Sequence, residues 1–163
     1  MTVRNMKPSD WENVSRIYSE GIATGIATFE TQTPDYDQWD KAHTEHCRLI
    51  AEQDGEVMGW AALSPVSSRC VYGGVGEVSV YISNKSRGKG IGKLLMEQLI
   101  RESEEAGYWT IQSGIFPENT ASIKLHEKMG FRYIGKRERV GKIHGVWKDN
   151  LLFEKRSDKV GMD

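Results

Sequence analysis

The sequence predicts one α/β domain built on a mixed, mostly antiparallel sheet with helices on both faces. Asp54-Gly55 lies between two apolar runs in "RLIAEQDGEVMGWAALSPV", a strong hairpin signal early in the chain. Further on, strand-like and helical stretches alternate: "GEVSVYIS", then "GIGKLLMEQLI", then "WTIQSGI". Hairpins first and βαβ pieces later imply the mixed sheet. The 163 residues hold no internal repeat, low-complexity linker or composition break, so residues 1–163 read as a single domain.

The elements follow in order. "TVRNM", residues 2–6, opens as a short strand, and "PSDWENVSRIYSEGI" reads as a helix with Ser9 as N-cap. Trp11, Val14, Ile17 and Tyr18 form its apolar stripe. Residues 21–36 have no clean period and read as a loop with a short helical turn. Pro34 suits the first turn of a second helix running to about His46. The hairpin comes next, then a loop in "SSRCVYGGV", then the alternating strand 76–83. There Val78, Val80 and Ile82 face one way, and Glu77, Ser79 and Tyr81 the other. A helix runs to about Ala106 and stops at Gly107. Strand 109–115, a helix from Pro117-Asn119 to Met129, and two last strands joined by a loop with Gly141 and Gly145 complete the chain.

Composition excludes several function classes. Lys and Arg number 22 against 23 Asp and Glu, a net charge of -1 that gives no global pull toward nucleic acid. The N-terminus lacks the apolar core of a secretory signal, and no window approaches the ~18 apolar residues of a membrane span. A cytoplasmic protein is expected. Cys47 and Cys70 have no CxxC spacing, and the four histidines form no HxxxH or HExxH pattern, so no metal site is expected.

The informative stretch is "SNKSRGKGIGKLLMEQL", residues 83–99, where three glycines alternate just before a helix. A P-loop would need Gly where Arg87 stands and Ser or Thr where Leu94 stands. A dinucleotide fingerprint fails at Lys93 when counted from Gly88, and at Leu95 when counted from Gly90. What remains is Arg87-x-x-Gly90-x-Gly92, with Gly88 in front. Free N–H groups at a positive helix end, with Arg87, Lys89 and Lys93 around them, suit a pyrophosphate.

These residues, followed by "IFPENTASIKLHEKMGF", resemble the coenzyme-A-binding half of the GNAT superfamily of N-acetyltransferases. "TFETQTPDYDQW", "AEQDGEVMGWAALSP" and "GKIHGVWKDNLLFEK" extend the similarity, over roughly residues 2–155, to its phosphinothricin (methionine sulfoximine) branch. The resemblance implies acetyl-CoA as co-substrate and a central strand that splays from its neighbour. It places the pantetheine arm on Val80, Tyr81 and Ile82, and the pyrophosphate on Gly88, Lys89, Gly90, Ile91, Gly92 and Lys93, beside Arg87. A cofactor-side amide falls on Asn119.

Acetyl transfer to nitrogen needs a route for one proton off the amine. Glu77, at the start of the splayed strand, can take it directly or through water, and the branch has Glu at this point. His126 stands where many relatives carry a Tyr that protonates the departing thiolate. It also shares a stripe with Ser122, Leu125 and Met129, so a packed helix histidine fits equally well. His144 matches a histidine of the branch near the acceptor, able to orient Glu77, shuttle a proton or bind an anion. For the acceptor, Phe29 and Glu30 come from the early loop. Arg69 and Tyr72 come from "SSRCVY", with Arg69 as the cation for a carboxylate.

The function implied is acetylation of the α-amine of a small amino-acid-like substrate: phosphinothricin, methionine sulfoximine or methionine sulfone. Antibiotic resistance by detoxification is the role this suggests. Acetylation of a protein N-terminus or lysine, and a non-catalytic CoA-binding module, are the alternatives. Surplus apolar residues in the last hairpin (Val146, Trp147, Leu151, Leu152, Phe153) predict a homodimer.

Overall fold

The computed structural model describes residues 1–163. Seven strands form one sheet: β1 (Thr2–Asn5), β2 (Leu49–Gln53), β3 (Glu56–Pro65), β4 (Val75–Ile82), β5 (Thr110–Ile115), β6 (Arg132–Ile143) and β7 (Val146–Arg156). Their spatial order is β1-β2-β3-β4-β5-β7-β6. Every pairing is antiparallel except β4 with β5. The helices are α1 (Trp11–Ala23), α2 (Tyr36–Ala42), α3 (Ile91–Glu105) and α4 (Thr120–Lys128).

Alternation along β4 separates two cores. Val78 joins Leu95, Met96 and Leu99 of α3 on one face, with Ile111, Ile115 and Phe153 from the neighbouring strands. On the other face Val14 and Ile17 of α1 and Trp39 of α2 close over Ile50 and Trp60, with Tyr81 packed against them. Helices therefore cover both faces, as the sequence predicts. Leu99 is fully buried in the α3 core. Leu99→Ala is expected to cost about 2–5 kcal/mol, read as a lower urea midpoint with an unchanged slope.

Several boundaries differ from expectation for local reasons. Ser9 is not the first cap: Pro8–Asp10 form a 3-10 turn, and the Asp10 carboxylate accepts from Lys7 N and from Arg4. The second helix starts from Asp35, whose side chain accepts from Gln38 N at 2.8 Å, and it ends at Ala42 rather than His46. Cys70–Tyr72, expected as loop, form a short 3-10 turn. Gly141 lies inside β6, so the last hairpin closes on two residues, His144 and Gly145, at φ 48 and 78. Asp54 and Gly55, at φ 53 and 78, turn the early hairpin in the same left-handed way.

The feature that makes a site is where β4 and β5 part. Their parallel pairing covers only Val75, Gly76 and Glu77, opposite Thr110, Ile111 and Gln112. Beyond Glu77, β4 keeps β3 on one edge and has no strand on the other.

Candidate active site

A cleft of about 1570 Å³ opens at this split, well above the ~300–1,000 Å³ of an ordinary small-ligand pocket. Val78 to Ile82 of β4 form its floor, and the turn into α3 closes one end. Gly88 and Gly90 hold φ 76 and 77, a left-handed backbone that glycine adopts without strain. A Cβ at either would meet no protein atom within 4 Å, so both face open space. Gly92 serves differently: a Cβ there would lie 3.1 Å from Leu125, so this glycine lets α4 approach α3.

The N–H groups of Lys89 to Lys93 make no hydrogen bond to another protein group. Five such donors at the start of a 15-residue helix, with Arg87, Lys93, Lys124 and Lys128 on the wall, form an anion cradle that suits a pyrophosphate. Lys89, expected in this group, is exposed and does not line the cleft. Asn119 lines it, but its Oδ1 caps α4 by accepting from Ser122 N at 3.2 Å, which leaves its Nδ2 side free. From the cradle the unpaired edge of β4 leads back past Ile82, Tyr81 and Val80. The Tyr81 ring is not in the way: it packs on Trp60 and Tyr18 at 4.9 Å, in the room left by Gly21 of α1.

Glu77 sits where that edge begins, on the cleft wall and half-buried. Burial pushes its carboxyl above the usual range, and the charge of Arg137 works against that shift. A carboxylate there is a better proton acceptor than one in water.

His126 is buried at 3% exposure on the same wall. Its Nδ1 lies 2.7 Å from the Ser122 carbonyl, which can only accept, so Nδ1 carries the hydrogen. Nε2 is then a bare acceptor, and it has no partner. Burial lowers the imidazole pKa, against the Ser122 bond that raises it. Of the two readings of the sequence, a packed helix histidine matches this burial; donation to the thiolate would require the ring to be protonated first, which burial disfavours.

The sequence candidates for the acceptor divide. Phe29 and Glu30 line the cleft. The Phe29 ring stands edge-on to Phe116 at 4.7 Å and covers Gly141, where a Cβ would come within 2.8 Å of it. Phe29 thereby anchors the loop whose residues 24 and 26–34 line the cleft. Arg69 and Tyr72 are not in the cleft. They sit in the loop before β4, beyond the end where β4 and β5 still pair, with the Arg69 guanidinium 5.6 Å from the Tyr72 ring. His144 is also absent from the wall, because its turn places it exposed at the hairpin tip. The sequence reading missed Arg137 and Asn150, cross-strand partners on the last hairpin, which line the cleft.

The acetyltransferase (GNAT) family model matches residues 11–131. The chain belongs to the GNAT acetyltransferase family. This GNAT enzyme draws its acetyl group from acetyl-CoA and passes it to nitrogen. It is 31% identical to the phosphinothricin N-acetyltransferase of Alcaligenes faecalis, over 94% of this chain and 81% of that one. It is 29% identical to the L-methionine sulfoximine/L-methionine sulfone acetyltransferase of Salmonella typhimurium, over 98% and 96%. Among solved structures, the phosphinothricin acetyltransferase of Sinorhizobium meliloti in complex with acetyl-CoA superposes with TM-score 0.86 at 28% identity, covering 99% and 96%. The ribosomal-protein-alanine N-acetyltransferase of Brucella melitensis superposes with TM-score 0.90 at 30% identity, covering 96% and 100%. No helix of this GNAT enzyme is long and apolar enough to cross a membrane.

Proposed function

We propose that this enzyme acetylates the α-amine of a small amino-acid-like acceptor of the phosphinothricin, methionine sulfoximine or methionine sulfone kind, with Glu77 as its general base. The observation that carries the reading is the position of Glu77 at the root of the β4–β5 split, under a cleft that Phe29 clamps on Phe116 and Gly141. The relatives named for small amino-acid analogues support it.

The thioester supplies the acetyl group. An α-ammonium group loses two protons on the way to an amide. Glu77 takes the first, so that the amine attacks as a free base. The second leaves the nitrogen as the C–N bond forms and the C–S bond breaks, and the departing CoA thiolate takes up one proton to leave as the thiol. The N–H groups of Lys89 to Lys93 hold the pyrophosphate, and the open edge of β4 from Val80 to Ile82 aligns the pantetheine arm through main-chain groups.

The resemblance to a ribosomal-protein-alanine N-acetyltransferase favours a second reading, acetylation of a protein N-terminus. A peptide needs an open groove, and the Phe29 clamp works against one. The deciding experiment measures CoA release with L-methionine sulfoximine, L-methionine sulfone, phosphinothricin and an alanine-terminated peptide, each at saturating acetyl-CoA. The expected result is efficient turnover of at least one free amino-acid analogue and little of the peptide; the reverse order would replace this reading by the second. CoA release with neither class would favour a binding module.

A homodimer is part of the same proposal. Phe153 is buried and Leu151 and Leu152 are half-buried in the fold, so the surplus apolar surface is smaller than the sequence suggests. Tyr133, Ile134 and Val140 on β6 and Val146 and Trp147 on β7 remain exposed, Trp147 at 54%. A second copy of this hairpin would cover them. Sedimentation at micromolar concentration is expected to give twice the 18.4 kDa chain mass; a monomer would contradict this.

A further inference from the structure

An amino-acid acceptor has two charged ends, and Glu77 answers only for the amine. We infer that Arg137 and Asn150, facing each other across β6 and β7 on the cleft wall, form the subsite that binds the acceptor's α-carboxylate. A free α-carboxylate is then what the enzyme requires of its acceptor. The inference rests on the small-acceptor reading above and adds its anchoring point.

The register places the pair. Arg137 lies directly opposite Asn150, so their side chains leave the same face of the sheet as close neighbours. Gln112, opposite Glu77, and Gly114 share one face of β5. A Cβ at Gly114 would lie 2.5 Å from Asn150 Oδ1, so the missing side chain makes room for Asn150 on the face that carries Glu77. Neither Arg137 nor Asn150 spends its side-chain donors on the protein: neither makes a side-chain hydrogen bond, and Arg137 makes no ion pair. Together they supply a guanidinium fork and an amide N–H, a donor set that matches a carboxylate.

The other cations of the wall are accounted for. Arg87, Lys93, Lys124 and Lys128 belong to α3, its leading turn and α4, at the phosphate end. Lys142 lies over the Trp147 ring at 4.8 Å. Arg137 is the cation left for the Glu77 end. Its charge reaches Glu77, yet no ion pair joins the two, so the guanidinium is not spent on that carboxylate.

The test compares L-methionine sulfone with its α-carboxamide in the parent, Arg137→Gln, Arg137→Lys and Asn150→Ala, at saturating acetyl-CoA. The parent is expected to prefer the free acid. Arg137→Gln should raise KM for the acid about ten- to hundredfold, as for a lost charge-assisted contact. It should leave KM for the carboxamide and the melting temperature unchanged. Arg137→Lys should recover part of the loss, and Asn150→Ala should raise KM several-fold. An acid-to-amide preference that survives in Arg137→Gln overturns the subsite while the small-acceptor reading stands. A parent that accepts acid and carboxamide equally well does the same. A parent that turns over neither compound but acetylates a peptide N-terminus removes both.

Discussion

Replacing Glu77 by Gln is expected to lower turnover by about a hundred- to ten-thousand-fold, the usual worth of a general base, with acetyl-CoA affinity unchanged. The two effects separate because β4 would meet the pantetheine through its main-chain edge, whereas the Glu77 side chain leaves the sheet on the face away from Val78. The deficit should shrink as pH rises, since more of the acceptor amine is then already neutral. In the parent, kcat/KM should fall on the acid side with an apparent pKa above the ordinary Glu value of 4.5, because burial raises this carboxyl. The Gln variant should lack that limb.

Stability should move the opposite way. With its native pKa raised, folded Glu77 binds more protons than unfolded Glu77 between pH 4.5 and the native value. Its contribution is therefore present at low pH and lost as pH rises through that window. At neutral pH the buried charge weakens the fold, so Glu77→Gln should melt at or above the parent temperature. A Gln variant with parental turnover and a lower melting temperature would make Glu77 a structural residue.

The second large effect is expected at Gly90, the left-handed residue that starts α3. Valine there collides with no protein atom, so the cost inside the fold is the backbone conformation, about 1–2 kcal/mol. Its methyl groups would stand in front of the free N–H groups of the cradle. Losing two charge-assisted hydrogen bonds at about 1.5–3 kcal/mol each weakens acetyl-CoA binding by about a hundred- to ten-thousand-fold. Calorimetry should show this in a chain with parental circular dichroism. Parental affinity in Gly90→Val would take the pyrophosphate away from this turn. Gly92→Val is a poorer probe, because its side chain would press on Leu125 and disturb α4.

Local chemistry made much of this legible in the sequence. Asp54-Gly55 marks its own turn, the alternation in "GEVSVYIS" sorts β4 onto its two faces, and Gly88 and Gly90 mark the cradle because only their backbone conformation and open space matter. What escaped depends on register and on distance along the chain. Nothing in "GKRERVGK" separates Arg137 from Lys136 or Arg139. Only the pairing with Asn150, and a glycine on β5 that leaves room for it, turn Arg137 toward Glu77. Arg69 and Tyr72 were plausible by composition, but their loop lies at the closed end of the β4–β5 pair. His144 was matched by motif, and the two-residue turn that it forms with Gly145 holds it at the tip instead. For His126 the residue type allowed either an acid or a packed helix histidine, and only the structure shows the burial that disfavours the charged, acid form.

The most direct measurement uses acetyl-CoA labelled with carbon-13 at the thioester carbonyl and L-methionine sulfone labelled with nitrogen-15 at the α-amine. After incubation with catalytic enzyme, NMR should show a one-bond carbon–nitrogen coupling in a small-molecule product, formed at the rate of CoA release. Label that appears only as free acetate or on protein amines, with the sulfone unchanged, would contradict small-acceptor N-acetylation.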